Sequence, residues 1–347
     1  MKQRKIFFIS LTAIVVLILA LAAFTYSVNS IKFTSDKIYS NQDAREYNSV
    51  LIRNFDYDSL ILGSSMSQGF KCSEFDAAFG GESMKLACSA MNFAEIAFFT
   101  DQAVRLKPVK RIMFDAPAAF FTHPQTLDDL PMEYYQDDFR SVLFSKSFSI
   151  NALLEATDTF RNLCRGKVKS VSRDALNDWN RRVKCSEKEF AKKLFYDANP
   201  DFKIDEQYRA EARKTVTDIV IPMVKRHPDT EFLVFFPPFS AMYFRLLNRS
   251  DFIALKREIA EMLMPLPNLK LYDFETAFHV TENFDNYRDL THYSGAINSW
   301  IITEMQNDRG RLTPENLEQH LNTMLKRLEE YDYNREYQRL ESLVKSK

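Results

Sequence analysis

The sequence predicts an α/β protein: a three-layer α/β/α sandwich around a parallel sheet, preceded by one N-terminal transmembrane helix. Three observations predict it. The 347-residue chain is 46% apolar and 27% charged, which supplies a sizeable core and excludes disordered and collagen-like compositions. Short apolar runs of strand length alternate with helical patterns, the alternation that generates right-handed crossovers and a parallel sheet covered on both faces. One apolar stretch near the N-terminus is far longer than a strand or an ordinary core helix. Charge excludes a further class: 46 Lys+Arg against 47 Asp+Glu leave no basic excess for holding a polyanion, so nucleic acid is not an expected partner.

From Ile6 to Val28 the chain runs 23 residues without a charge, roughly 35 Å as a helix and enough to span a bilayer. Lys2, Arg4 and Lys5 precede it and no Lys or Arg follows until Lys32. The positive-inside rule then keeps the N-terminus in the cytoplasm and exports the remainder. Ala20-Leu21-Ala22 would suit a cleaved signal peptide, but the run exceeds the roughly 7 to 15 apolar residues of such signals. Residues 1–30 therefore read as a basic tip and an uncleaved anchor, and residues 31–310 as the exported domain.

Within that domain, Ser59–Leu62 reads as a first strand, Met84–Ala87 as a weaker second, Val109–Phe114 as a third, Glu231–Phe236 as a fourth and Leu269–Phe274 as a fifth. A helix follows Asn92, which is placed to cap it. Between about 120 and 203 the pattern turns polar, aromatic and helical, and reads as an insertion. Residues 311–347 read as a C-terminal amphipathic helix, with Leu317, Leu321, Leu325 and Leu328 near one stripe.

Export would put Cys72, Cys88, Cys164 and Cys185 in an oxidising compartment, where Cys72 with Cys88 and Cys164 with Cys185 are the local pairings; four unpaired thiols are the alternative. Only seven glycines occur, none in a phosphate-cradling loop, and no CxxC or His/Cys cluster suggests zinc. Neither cofactor nor metal is expected.

Chemistry is suggested at two remote places. Leu60-Ile61-Leu62-Gly63-Ser64-Ser65 ends a buried strand in glycine and hydroxyls at the carboxyl edge of the sheet, where ligands of open α/β folds gather. Asn286-Tyr287-Arg288-Asp289-Leu290-Thr291-His292-Tyr293 puts an Asp three residues before a His, so a carboxylate can orient an imidazole toward a nucleophile. His279 is a fallback base, and His227 and His320 read as surface residues.

Together these stretches resemble the SGNH/GDSL hydrolase superfamily, and within it the membrane-anchored teichoic-acid D-alanine transfer protein and alginate O-acetyltransferase relatives. Gly63-Ser64-Ser65, Phe236-Pro237-Pro238 and Asn286-Tyr287-x-Asp289-x-x-His292-Tyr293 carry the resemblance, over roughly residues 50 to 305. It implies a flavodoxin-like sheet, Ser65 as nucleophile, His292 as general base and Asp289 as its orienting carboxylate. Ser65 N–H would donate to the oxyanion, with Asn92 as a possible second donor. The family's second-block Gly is absent near Cys88-Ser89-Ala90-Met91, and Asp115-Ala116-Pro117 stands where the family has an Asn. The implied activity is that of an exported serine acyl esterase or O-acyltransferase on a cell-surface polysaccharide of a bacterial envelope, with a membrane acyl-donor protein as possible partner. The alternative is a catalytically inactive binding or assembly protein on the same fold.

Overall fold

The uncharged N-terminal stretch is helical in a computed structural model of the chain, which describes residues 2–35, 37–39, 43–167, 169–194 and 204–345. In chain order the helices are α1 (Lys2–Thr34), α2 (Ala44–Asn54), α3 (Cys72–Phe79), α4 (Phe93–Leu106), α5 (Phe139–Lys146), α6 (Ile150–Cys164), α7 (Glu187–Leu194), α8 (Glu206–Thr215), α9 (Ile221–Arg226), α10 (Arg249–Leu263), α11 (Phe278–Thr281), α12 (Gly295–Gln306), α13 (Leu317–Glu330) and α14 (Tyr333–Lys345). The strands are β1 (Ser59–Ile61), β2 (Ser83–Lys85), β3 (Arg111–Asp115), β4 (Glu231–Phe236) and β5 (Leu269–Asp273). The chain divides into two units, Met1–Phe55 with Asp128–Ser172, and Asp56–Leu127 with Arg173–Lys347.

In the first unit α1 is long and apolar enough over Gln3–Ile31 to cross a membrane. Asp43 caps α2 by accepting the Glu46 N–H, and Arg53 near its end donates to the Tyr134 and Gln136 carbonyls. Helix α6 packs along α1.

The second unit holds a five-stranded, all-parallel sheet in the order β2-β1-β3-β4-β5. Leu60 lies opposite Met84 and Ile112, and Val234 opposite Phe114 and Leu271. These side chains are fully buried, as expected of strands covered on both faces. The chain leaves β1 through α3 to β2 on one side, then crosses through α4 to β3 on the other. Right-handed crossovers in opposite directions put α3 and α4 on opposite faces, and the order reverses between β1 and β3. On these faces α3 packs with α12, and α4 with α9. Helix α8 passes through a π turn at Val216–Val220 into α9, next to Pro222, which lacks the N–H an α-helix needs.

Several expectations are corrected. The second strand is Ser83–Lys85, two residues shorter at its C-terminal end than expected, and it carries a buried charge: Lys85 Nζ donates to the carbonyls of Gln68 (2.7 Å), Phe70 (2.8 Å) and Asp174 (3.0 Å). Burial pushes its pKa down to about 8. The C-terminal stretch forms two helices, because Asp332 breaks it and accepts the Arg335 N–H at the start of α14. Met324 takes the buried place expected of Leu325. Of the two readings left open for the cysteines, the unpaired one holds: all four are free thiols, Cys72 and Cys88 buried. The expected insertion ends among residues 195–203, and the C-terminal helix at 346–347, both outside the described residues.

Candidate functional site

Gly63, two residues past the end of β1, has φ +115°, a conformation open to glycine, and an added Cβ would stand 2.1 Å from Asp115 Oδ1. Asp115 ends β3, so the reversal of strand order brings its carboxylate to the turn after β1. It is 2% exposed and accepts the Ser64 N–H (2.8 Å), the Ser64 hydroxyl (2.6 Å) and the Ser67 hydroxyl (2.5 Å). Burial pushes its pKa up, against the pull of those hydrogen bonds. Successive serines are thereby sorted: Ser64 is locked inward, and Ser65 points its hydroxyl the other way.

Across the sheet edge, residues 287–293 form a tight loop closed by the antiparallel pair Tyr287 and Tyr293, both buried, with Arg288 N–H donating to the His292 carbonyl at 2.9 Å. The loop after β4 braces it. Tyr287 Oη donates to the Pro238 carbonyl (2.7 Å), and the Leu290 carbonyl accepts both the N–H (3.0 Å) and the hydroxyl (2.9 Å) of Ser240.

The two remote stretches meet. Ser65 Oγ lies 2.8 Å from His292 Nε2, and His292 Nδ1 lies 2.9 and 3.0 Å from the two carboxylate oxygens of Asp289. Asp289 Oδ1 also accepts the backbone N–H groups of His292 (2.8 Å) and Thr291 (3.1 Å), so the carboxylate is fixed before the imidazole uses it. Burial alone would raise the Asp289 pKa, but the His292 ring and the two N–H groups outweigh burial and hold it below the ordinary carboxylate range. The His292 side chain is 27% exposed and that of Asp289 14%, so the imidazole is open to solvent and its partner is shielded.

Two supporting residues escaped the sequence reading. Trp179 Nε1 donates to the Ser65 carbonyl (2.8 Å), and its ring stands at 90° to His292 with centroids 5.4 Å apart. Asn298, on the helix after the His loop, donates to the Met66 carbonyl (2.9 Å). One of only two tryptophans in the chain, inside a polar segment, was the available signal for Trp179.

Asn92 holds the capping place expected of it at the start of α4. Its Oδ1 accepts the Glu95 N–H in a capping box for α4, and its Nδ2 donates to the Thr126 carbonyl (2.8 Å), so its carboxamide is committed to local structure. The Ser65 N–H donates to no described residue. His279 stacks edge-on against Trp300. His227 and His320, expected at the surface, are partly exposed and paired with Asp101 (2.6 Å) and Asp273 (2.7 Å).

No family model matches the chain, and no curated protein matches it. A solved structure provisionally described as a platelet activating factor from Streptococcus pneumonia aligns over 76% of this chain and 89% of its own, at 9% identity and a TM-score of 0.36. A likeness at that level carries no argument.

Proposed function

We propose that the protein is an exported serine acyl esterase or O-acyltransferase of SGNH/GDSL type, held at the membrane by α1 and acting on acyl groups of a cell-surface polysaccharide or related envelope polymer. The observation that supports this reading is the hydrogen-bonded row Ser65, His292, Asp289, assembled from residues 227 apart in sequence. As Ser65 Oγ attacks an ester carbonyl, His292 Nε2 takes its proton, and the charge that appears on the imidazole faces the Asp289 carboxylate. The oxyanion is met by the Ser65 N–H. His292 then returns the proton to the departing alcohol, leaving an acyl-serine. Water attacking that ester gives hydrolysis, and a sugar hydroxyl gives transfer, with His292 again taking the proton. For transfer, a multipass acyl donor in the same membrane would be the partner.

One observation favours a second reading, a binding or assembly protein that keeps the fold without catalysis. Asp115 stands where the resemblance expects an Asn, and its carboxylate is turned to Ser64 and Ser67, so this position offers no side-chain amide to an oxyanion. A fluorophosphonate probe applied to the full-length protein in detergent separates the two. Labelling abolished by Ser65→Ala, together with turnover of short acyl esters, supports the enzyme. A folded protein that neither labels nor turns over is the binding protein.

A further inference from the structure

Large apolar side chains left exposed outside α1 gather on one hairpin. Phe144 (59%), Phe148 (50%), Ile150 (76%), Leu154 (60%) and Phe160 (49%) all lie on α5, α6 or the turn between them; elsewhere in the described chain only Leu106 and Met132 are comparably exposed. Aqueous surfaces scatter such residues singly, and their concentration on one short stretch of chain, with Phe144 and Phe148 in ring contact at 5.4 Å, marks an interaction face. Both helices pack on α1. Helix α6 runs antiparallel along the last turns of α1: Phe24 meets Phe160 edge-on at 5.7 Å, Tyr26 meets Phe144 at 6.2 Å, and Asn29 Nδ2 donates to the Ala152 carbonyl at 3.2 Å. Phe24, Tyr26 and Asn29 all fall within Gln3–Ile31, the segment able to cross a membrane.

We propose that the α5–α6 hairpin is a membrane-embedded element in its own right, its exposed apolar side chains lying among the lipid acyl chains of the leaflet through which the C-terminal end of α1 emerges. The exposed Asp158–Arg161 and Glu133–Lys146 ion pairs set its depth at the headgroup boundary instead of the hydrocarbon centre. This rests on α1 being the anchor, and the test separates the two claims. The full-length protein, with Cys164→Ser and Cys185→Ser, is labelled with an environment-sensitive fluorophore at single introduced cysteines and reconstituted into phosphatidylcholine vesicles carrying acyl-chain spin labels. Labels at Phe148→Cys and Leu154→Cys should be quenched about threefold more than one at Glu329→Cys on α13. Quenching at Ile14→Cys with none at 148 and 154 overturns the hairpin proposal alone. No quenching at 14 overturns the anchor and the hairpin proposal with it.

An independent observation lies where the chain enters α10 and α14. Arg245, Arg249, Tyr331, Asp332, Tyr333 and Asn334 line a cavity of about 350 Å³. Both guanidiniums stack on rings, Arg245 at 3.9 Å over Tyr337 and Arg249 at 4.8 Å over Tyr333, and neither forms an ion pair among the described residues. Arg249 Nε and the Tyr333 hydroxyl are buried and neither meets a partner in hydrogen-bonding geometry, although the Arg249 guanidinium stands beside the hydroxyl and opposes the upward push that burial gives its pKa; Tyr333 is only 6% exposed. Helices α10 and α14, 15 and 13 residues long, begin at Arg249 and Tyr333, so two positive dipole ends converge on the same space. Asp332, the one acid in the lining, commits an oxygen to the Arg335 N–H.

The geometry points to an oxyanion site that takes a phosphate or a carboxylate through Arg249 and Tyr333, with Arg245 adding charge. Titration calorimetry on the full-length protein in non-ionic detergent, with inorganic phosphate and separately with glucuronate, tests it. Saturable binding is expected that weakens with added salt and falls about tenfold or more in Arg249→Gln. The milder Tyr333→Phe should keep the fold and still lose affinity. Heat from phosphate alone identifies a phosphate ligand, and heat from glucuronate alone a sugar acid. No saturation below roughly 10 mM for either, or binding unchanged in both variants, overturns the proposal.

Discussion

Replacing Asp289 by Asn tests the proposed chemistry at its most sensitive joint, because it changes one atom and leaves shape intact. Asp289 Oδ1 holds two backbone N–H groups at 2.8 and 3.1 Å while Oδ2 lies 3.0 Å from His292 Nδ1. Oδ1 also lies 2.9 Å from Nδ1, but an Asn that keeps this oxygen on its two backbone donors brings an NH₂ to 3.0 Å from Nδ1 in place of Oδ2, and that NH₂ finds its acceptor in Nδ1. The imidazole would then accept at Nδ1 and carry its proton on Nε2, aimed at Ser65 Oγ, which lies 2.8 Å away. A base in that tautomer cannot take the serine proton. The flipped amide fares no better, since its NH₂ would face two N–H donors. The expected loss is about 10⁴-fold in the rate of ester turnover, or about 5.5 kcal/mol of transition-state stabilisation. The fold should survive, because Asn retains the backbone bonds; loss of the charge-assisted bond costs about 1.5 to 3 kcal/mol. The assay pairs p-nitrophenyl acetate hydrolysis with the rate of fluorophosphonate labelling. Wild-type labelling in a folded Asp289→Asn protein would refute an imidazole base oriented by this carboxylate.

Asp115→Ala strands three buried donors and should cost about 3 to 5 kcal/mol in urea melts, whereas Asp115→Asn, able to accept from Ser67 and donate to Ser64 Oγ, should stay within about 1 kcal/mol of wild type. Gly63→Ala forces a Cβ to 2.1 Å from Asp115 Oδ1 at φ +115°, and should lower the thermal midpoint and remove labelling of Ser65 together. In the buried cluster beside β5, Lys256 pairs with Asp273 and Glu275, and burial pushes the Glu275 carboxyl up to about 7. A carboxyl that binds its proton more tightly folded than unfolded loses stability as pH rises from its unfolded value toward 7. Glu275→Gln should therefore gain stability relative to wild type across that window and plateau above it, read from urea midpoints at several pH values.

The strands were legible because parallel strands buried on both faces leave continuous apolar runs, and Phe232 to Phe236 or Leu60 to Leu62 admit few other readings. Asn92 was legible as a cap because the Asn-x-x-Glu pattern is local. What stayed hidden depends on distant chain. Asp115 could be noticed only as a missing Asn; its part in fixing Ser64 and Ser67 exists only because β3 lies beside β1. Lys85 and Lys256 break the pattern of their segments, and each is tolerated because oxygens from elsewhere surround its ammonium. The break between α13 and α14 was missed because a leucine stripe outweighed the capping aspartate Asp332.

Ser65 and His292 rest on separate supports, and the sheet sets their spacing. The turn after β1 is held by Asp115 from β3 and by Trp179 and Asn298; the His292 loop is held by Ser240 and Pro238 after β4. Because β3 pairs with both β1 and β4, these supports are joined through two parallel ladders of backbone hydrogen bonds. The 2.8 Å approach of Ser65 to His292 therefore needs no contact between the two loops other than the pair itself. Ser64 and Ser67 spend their hydroxyls on Asp115, which leaves the Ser65 hydroxyl as the one the turn presents to His292. A second hydroxyl competing for His292 would blunt such a base. Burying Ser64 on a carboxylate removes that competitor, which gives the charged residue at 115 a reason to be there that an amide donor in the same place would not supply.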